Sequence, residues 1–119
     1  MHNFHKLDIW IDGVDLADTI YGITSSFPIE ERYGLSSQMQ RAAVSIPSNI
    51  AEGQARSSTK AFVSFLSIAK GSNAELETQL MICVRLKYLT QSQAEVALNL
   101  CSEVGKMLTV LIGKLYTIH

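Results

Sequence analysis

Charged side chains are scarce in this chain of 119 residues. Aspartate, glutamate, lysine and arginine make up 18% of it, against about 25% in an average globular domain. The formal net charge is −1, which argues against the strongly basic footprint that is typical of nucleic-acid-binding domains. We expect a small domain with so few charges to cover part of its surface with another copy of itself.

Cysteines and long apolar runs are scarce as well. The two cysteines, Cys83 and Cys101, lack C-x-x-C spacing, and we predict reduced thiols in a cytoplasmic protein, with a disulfide between them left open. The first ten residues lack the basic segment and apolar core of a signal peptide. No uncharged apolar run reaches the roughly 18–20 residues of a membrane span, so we expect no membrane association.

Motifs for catalysis and metal binding are missing too. The sequence contains no Ser–His–Asp arrangement, no E-x-x-H and no phosphate-binding glycine loop. His2, His5 and Asp8 form only a loose group near the N-terminus, where nothing orders them as metal ligands. The further aspartates of the first helix are interpreted as a solvated stripe. We therefore expect a protein that is no enzyme and holds no metal and no cofactor.

Breaks in apolar periodicity divide the chain into four amphipathic helices. The four segments are residues 6–25, 35–56, 59–89 and 91–117. The breaks include Pro28 and Gly34 and, before the last helix, a capping box of Thr90 and Gln93. Because short connections make sequential helices antiparallel neighbours, the sequence predicts an all-α, antiparallel up-and-down four-helix bundle, a single domain over residues 1–119.

The apolar positions also predict which helix faces are buried. In the first helix the seam recurs at three- and four-residue steps: Leu7, Trp10, Val14, Ala17, Tyr21 and Thr24. The third helix adds a second stripe that is made only of small residues: Ser64, Ser67, Gly71, Ala74 and Thr78. Small side chains let another helix approach closely. This small stripe predicts either close packing within one subunit or a contact between subunits.

Charge is unevenly distributed along the chain. Residues 1–52 carry three basic and seven acidic side chains, a net charge of −4. Residues 53–119 carry seven basic and four acidic side chains, a net charge of +3. This asymmetry fits either two ordinary solvated surfaces or an oligomer with one acidic and one weakly basic surface.

The second helix carries a polar stripe beside its apolar face. The members of the stripe lie within about 80° of the helix circumference: Gln38, Arg41, Ser45, Asn49 and Glu52. Arg41 and Glu52 lie about 16 Å apart along the axis and cannot pair with each other. Asn73, Glu75 or Glu77 of the third helix could supply partners. Within the stripe, Pro47 predicts a kink or a division into two short helices.

The polar stripe allows three interpretations. We predict a structural network at a helix or subunit contact, with Asn73 as its member on the third helix. An anion-binding or partner-binding site at Arg41, with Arg56 and Lys60 further along the chain, is the second interpretation. A catalytic Glu52 is the third.

Several motifs resemble a known family. They are F-x-x-L-x-x-W at residues 4–10, F-P-x-E at 27–30, Y-G-L-x-x-Q at 33–38, R-A-A-x-S-I-P-x-N-I-A-E-G at 41–53 and F-x-x-F-L-x-x-A-x-G-S-x-x-E-L-E-T at 62–78. This pattern resembles the four-helix-bundle family that includes the 23S rRNA intervening-sequence proteins. The resemblance implies a small bacterial all-α protein whose biochemical function is largely unassigned.

The family in turn resembles the accessory variability determinant of diversity-generating retroelements. That protein is a pentameric barrel with a basic surface that binds nucleic acid and a reverse transcriptase. The relationship implies a cyclic homo-oligomer, a pentamer, that acts as a binding scaffold for RNA or for a nucleic-acid-processing protein. Gln40, however, stands where the family often has the first of two arginines. With the net charge of −1, this departure keeps open a self-associating structural module without nucleic-acid affinity.

Overall fold

The structure, a computed structural model, describes residues 7–117 and contains four α-helices and no strand over that range. The helices are α1 (Asp8–Thr24), α2 (Leu35–Gln54), α3 (Thr59–Arg85) and α4 (Gln91–Thr117). One turn of 3-10 helix lies between α1 and α2. The all-α prediction is confirmed. Helix α3 ends four residues before the predicted end, because the chain leaves the helical conformation at Lys87, where φ is 66°.

The helices form an elongated bundle of 46 × 22 × 20 Å. Each helix packs against the next one in sequence, and α4 packs against α1. Near the start of α2, Met39 contacts Cys83 close to the end of α3, whereas Gly53 at the end of α2 meets Phe62 at the start of α3. The two helices are therefore antiparallel. Helices α1 and α3 do not contact each other, so they lie diagonally across the bundle.

Aliphatic side chains from all four helices fill the core. The largest fully buried residues are Leu16, Ile20, Met39, Ile46, Ile50, Leu66, Leu76, Leu80, Val104 and Leu108. Burial of each such side chain stabilises the fold by about 1.5–3 kcal/mol relative to exposure. Within each helix they lie on one side, at the spacing of an amphipathic helix.

The buried face of α1 differs from the predicted one. The residues that α1 buries are Ile9, Gly13, Leu16, Ile20 and Thr24. Val14 and Tyr21 of the predicted seam are 39% and 51% exposed. At Gly13 the helices approach so closely that a Cβ would lie 3.3 Å from the Cβ of Pro47 in α2. Because α1 is apolar on two sides, this contact decides which side faces the core.

Helix α2 continues through Pro47 as one helix, so the alternative of two short helices is wrong. The ring of Pro47 is buried against α1, and this packing helps to offset the backbone hydrogen bond that proline removes.

Side chains cap the starts of α3 and α4, and the predicted capping box before α4 is confirmed. The Oγ of Ser58 accepts the backbone N–H of Ala61 at 3.1 Å at the start of α3. Before α4, the backbone N–H of Thr90 donates to Oε1 of Gln93 at 2.8 Å, and the N–H of Gln93 donates to Oγ1 of Thr90 at 3.0 Å. These bonds satisfy orphan donors at two helix starts.

Both cysteines are free and buried. Burial raises the pKa of Cys83 to about 11 and that of Cys101 to about 12, so both are protonated at neutral pH. Among the described residues, α4 is the one helix that is long and apolar enough to cross a membrane, by length and composition only. In this structure α4 packs against α3 and α1.

Candidate functional site

Part of the polar stripe forms a hydrogen-bonded contact between α2 and α3. The hydroxyl oxygens of Ser45 and Ser72 lie 2.8 Å apart. The amide nitrogen of Asn49 donates to Oγ of Ser45 at 2.9 Å and to its backbone oxygen at 2.7 Å. All three side chains are half-buried. This cluster therefore links the middle of α2 to the middle of α3.

Arg41 lies on the outer side of this cluster and is exposed. Within residues 7–117, no hydrogen bond or salt bridge engages its guanidinium. It borders a shallow depression of about 450 Å³ that Gln38 and Glu75 also line. Glu75 accepts a hydrogen bond from Nε2 of Gln79 at 3.2 Å instead of pairing with Arg41. Arg41 is thus a charge that no described residue of this chain neutralises.

Glu52 belongs to a local surface pair. Its Oε2 accepts from the guanidinium of Arg56 at 2.6 Å, and about half of each side chain is exposed. The same guanidinium lies 4.9 Å from the ring centre of Phe65. Exposed pairs four residues apart in a helix contribute only about 0.3–0.5 kcal/mol. Glu52 thus orients the side chain of Arg56 at the end of α2.

The basic residues of the predicted anion-binding or partner-binding site, Arg41, Arg56 and Lys60, do not converge on one place. Arg41 and Arg56 are fifteen residues apart, which is about 22 Å along the helix axis. Lys60 follows in the first turn of α3. Any anion at Arg41 would therefore meet a single positive charge from this group.

Asn73 lies outside the polar stripe, in the core between α3 and α4. Its Nδ2 donates to the backbone oxygen of Cys101 at 2.8 Å, and Gly105 leaves room for the amide, since a Cβ there would lie 3.2 Å from Nδ2. Its Oδ1 is buried and finds no partner among the described residues. The neighbouring Ser72, rather than Asn73, is the residue of α3 that meets the stripe.

Sequence reasoning missed a contact that joins the α1–α2 connection to the end of α3. The Tyr88 hydroxyl donates to Oε2 of Glu31 at 2.9 Å, and Oε1 accepts the backbone N–H of Leu35 at 3.0 Å. The rings of Phe27 and Tyr88 pack 5.5 Å apart. The placement of Glu31 four residues before Leu35 was the available signal, because a carboxylate can cap the start of a helix.

A second missed contact joins α1 to α2. Nε2 of Gln40 donates to Oγ1 of Thr24 at 3.0 Å, and Thr24 in turn donates to the backbone oxygen of Ile20 at 2.8 Å. Gln40 therefore takes part in helix packing at the position where the family often has the first of two arginines.

A close pair of acids lies between α1 and α4. The carboxyl groups of Asp12 and Glu103 are within hydrogen-bonding reach. Partial burial and the charge of Glu103 raise the pKa of Asp12 above its ordinary value. Within residues 7–117, no group of three or more acids, histidines and cysteines has the geometry of a metal site.

Comparison with known proteins agrees with this architecture. The family model of the 23S rRNA-intervening sequence proteins matches residues 5–110. The chain belongs to this family. The match extends from the start of α1 through most of α4, so the family resemblance that the motifs indicated is confirmed.

A solved structure with the same fold comes from Bacteroides thetaiotaomicron. It is a protein of unknown function from the S23 ribosomal protein family, 28% identical to this chain, with a TM-score of 0.80. The similarity covers 87% of this 23S rRNA-intervening sequence protein and 97% of that chain. Among curated proteins, none matches this chain.

Proposed function

We propose that this 23S rRNA-intervening sequence protein is a non-enzymatic, cytoplasmic scaffold that assembles as a cyclic homo-oligomer, a pentamer, and binds RNA or a protein partner. The observation that carries the proposal is the amount of apolar surface that a single chain leaves exposed. The exposed large residues are Ile11, Val14, Tyr21, Ile29, Tyr33, Val44, Ile68, Met81, Ile82, Leu86, Val96, Val110 and Tyr116. Where such side chains lie together, as Ile11 and Val14 do one turn apart on α1, the exposed apolar surface favours an interaction site.

The small stripe of α3 supports self-association. All five of its residues are exposed, so this side of α3 faces solvent in a single chain. A Cβ added to Gly71, at the centre of the stripe, would meet nothing within 4 Å. A second helix could therefore approach α3 closely along this line.

Several features favour binding over catalysis. Glu52 and Arg41 lie apart, and Glu52 is already paired with Arg56. The two thiols are buried, with raised pKa values, whereas nucleophilic cysteines are accessible and have lowered ones. The acids Asp12 and Glu103 lie between two packed helices.

The mass of the protein in solution tests the assembly. Light scattering at micromolar concentration is expected to give five times the chain mass of 13.1 kDa. A mass of one chain would overturn the scaffold proposal.

Salt-dependent RNA binding tests the partner. Phosphate contacts weaken steeply with salt because binding releases condensed counterions. If structured RNA at about 50 mM salt binds no better than it binds a neutral control protein, the RNA partner is excluded. In that outcome the protein is the alternative, a self-associating module without nucleic-acid affinity, with which the net charge of −1 is compatible.

Arg41→Ala separates partner binding from folding. Because Arg41 has no polar contact within the described residues, we expect an unchanged melting temperature and a weaker partner or subunit contact. Arg32→Ala, at an exposed arginine in the α1–α2 connection, is the control. Equal losses of binding in the two variants would show that Arg41 has no special role.

A further inference from the structure

A groove of about 490 Å³ lies between α3 and α4. Its lining includes charged, hydroxyl and amide side chains: Lys70, Asn73, Glu77, Ser102, Lys106 and Thr109. Asn73 is the buried member of this set and is 7% exposed, whereas the other five are exposed. The volume falls in the range of small-molecule sites. We call this feature the α3–α4 groove.

The floor of the α3–α4 groove holds a hydrogen-bond acceptor without a partner. Oδ1 of Asn73 is buried and accepts no hydrogen bond from residues 7–117. The amide is held in this orientation, because its Nδ2 donates to the backbone oxygen of Cys101 at 2.8 Å. Buried acceptors are almost always paired in folded proteins. A ligand with a hydrogen-bond donor, entering the groove beside Asn73, would satisfy this oxygen.

Gly105 keeps space beside this amide. A Cβ at Gly105 would lie 3.2 Å from Nδ2 of Asn73, so a larger residue would crowd the side chain. Gly105 also lines the groove. A glycine inside a helix costs stability relative to alanine, and here that cost leaves the floor of the groove open.

The charged side chains divide the groove into two ends. The start of α3 meets the end of α4, so the two helices are antiparallel. The bond from Asn73 to Cys101 marks the middle of the groove. Lys70 lies about 4.5 Å from this level and Lys106 about 7.5 Å, in the same direction along the axis. Glu77 lies about 6 Å away in the opposite direction, so one end is basic and the other acidic.

The two lysines of the basic end have no charge partner. Within residues 7–117, the one salt bridge joins Arg56 to Glu52, and neither residue lines this groove. Two ammonium groups at one end of a groove repel each other, and an anion between them relieves the repulsion. A phosphate ester carries a charge of about −1.5 to −2 near neutral pH, which matches two lysines.

The rest of the groove offers acceptors for hydroxyl groups. The exposed side chains of Glu77 and Ser102 line its acidic end, and Oδ1 of Asn73 lies between the two ends. Carboxylate, amide and hydroxyl oxygens all accept hydrogen bonds from hydroxyls. Glu77 would repel a ligand that is anionic along its whole length. The matching ligand therefore carries negative charge at one end and hydroxyl donors at the other.

We propose that the α3–α4 groove binds a small phosphorylated sugar, either free or as part of a mononucleotide. The phosphate lies between Lys70 and Lys106, and one sugar hydroxyl donates to Oδ1 of Asn73. Further hydroxyls meet Ser102 and Glu77. The long, exposed side chains at the rim turn outward to admit the ligand. The site lies within one chain, so it stands whether or not the protein assembles.

Nuclear magnetic resonance titration of the native chain tests the ligand class. We expect millimolar ribose 5-phosphate to shift the side-chain amide signal of Asn73 and the backbone amide signal of Gly105. Ribose and inorganic phosphate each supply part of the contacts and should bind at least about tenfold more weakly. Titration with adenosine monophosphate distinguishes a nucleotide from the free sugar phosphate as the preferred ligand.

The same titration can overturn the proposal. If inorganic phosphate binds as tightly as ribose 5-phosphate, the sugar contacts do not exist. Tighter binding of an amino acid, which carries a carboxylate and an ammonium group, would assign the groove to zwitterions instead. If none of these probes shifts the two signals, the groove holds water only.

Asn73→Leu separates binding from folding. Leucine has a similar shape without polar atoms, and such a replacement of a buried polar group can leave stability unchanged. We expect the melting temperature to be kept and the affinity for ribose 5-phosphate, followed at Gly105, to fall by about tenfold. Unchanged affinity in the folded variant would contradict the role of Oδ1.

A pair of double variants tests the phosphate contact even if Asn73→Leu fails to fold. Lys70→Gln/Lys106→Gln removes both charges of the basic end. Lys60→Gln/Lys114→Gln removes two exposed lysines from the same two helices, outside the groove, and makes the same change in net charge. Only the first variant should lose affinity for ribose 5-phosphate. Equal losses in the two would show that net charge alone attracts the ligand, and the proposed site would be wrong.

Discussion

Tyr88 and Glu31, 57 residues apart in the chain, are joined by a hydrogen bond of 2.9 Å. The same carboxylate accepts the first backbone N–H of α2, at Leu35. These two bonds, led by the one from Leu35, lower the pKa of Glu31. The bond to Glu31 raises the pKa of Tyr88. One side chain thus caps α2 and ties it to the end of α3.

Tyr88→Phe tests this link. We expect a lower melting temperature at neutral pH, because the bond to the carboxylate is lost. A carboxyl with a lowered folded pKa stabilises the fold above its unfolded pKa, near 4.5, and loses that stabilisation as pH falls through the folded value. The difference between variant and native protein should therefore shrink in acid. Tyr116→Phe, at a tyrosine 67% exposed, is the control; an equal loss there would contradict the link.

Asp12→Asn should stabilise the protein at neutral pH. Because the pKa of Asp12 is raised, the folded state favours the protonated form of this side chain. Asp12 therefore contributes stability in acid. That stability is lost as pH rises from the unfolded pKa near 3.8 through the folded pKa. The melting temperature of the variant should exceed that of the native chain at pH 7 and match it in acid. Glu95→Gln, which removes an exposed acid of α4, is the control. An equal gain in melting temperature there would mean that the stabilisation comes only from the change in net charge.

Lys87→Gly should raise the free energy of unfolding by about 0.5–1 kcal/mol. Lys87 has φ of 66°, in the left-handed region that glycine adopts without strain. It ends α3 in a Schellman motif, since the N–H of Tyr88 donates to the oxygen of Cys83 at 3.0 Å and that of Lys87 to Val84 at 3.1 Å. Lys106→Gly, within α4, should cost about 1 kcal/mol. Urea unfolding measures both, and a loss at both sites would contradict the strain at Lys87.

Gly53→Ala should destabilise the fold although alanine favours helices. A Cβ at Gly53 would lie 2.8 Å from the Cβ of Phe65 and 2.9 Å from Cδ1 of Phe62. Such overpacking typically costs 1–3 kcal/mol. Gly22→Ala in α1, where an added Cβ meets nothing within 4 Å, should gain about 1 kcal/mol. Thermal unfolding compares the two, and a gain at both would show that α2 and α3 separate easily at Gly53.

The sequence predicted the elements well because helix signals are local. The capping box of Thr90 and Gln93 and the cap at Ser58 involve residues three positions apart, and apolar periodicity is read within one helix. The polar stripe was less predictable. Ser45 bonds to Ser72 and not to Asn73, and this choice depends on how α2 and α3 are rotated about their axes.

The sequence by itself determined the four helices, their order and the family of the chain, because these follow from short-range patterns and motifs. Only the tertiary structure decided which side of α1 faces the core. Two sides of α1 are apolar, and the side that is buried is the one where Gly13 lets α1 pack closely against Pro47 of α2. The tertiary structure also placed Arg41 where no described residue pairs with it, and it put α1 and α3 diagonally across the bundle. Those relationships depend on distances between helices, which no spacing along the chain contains.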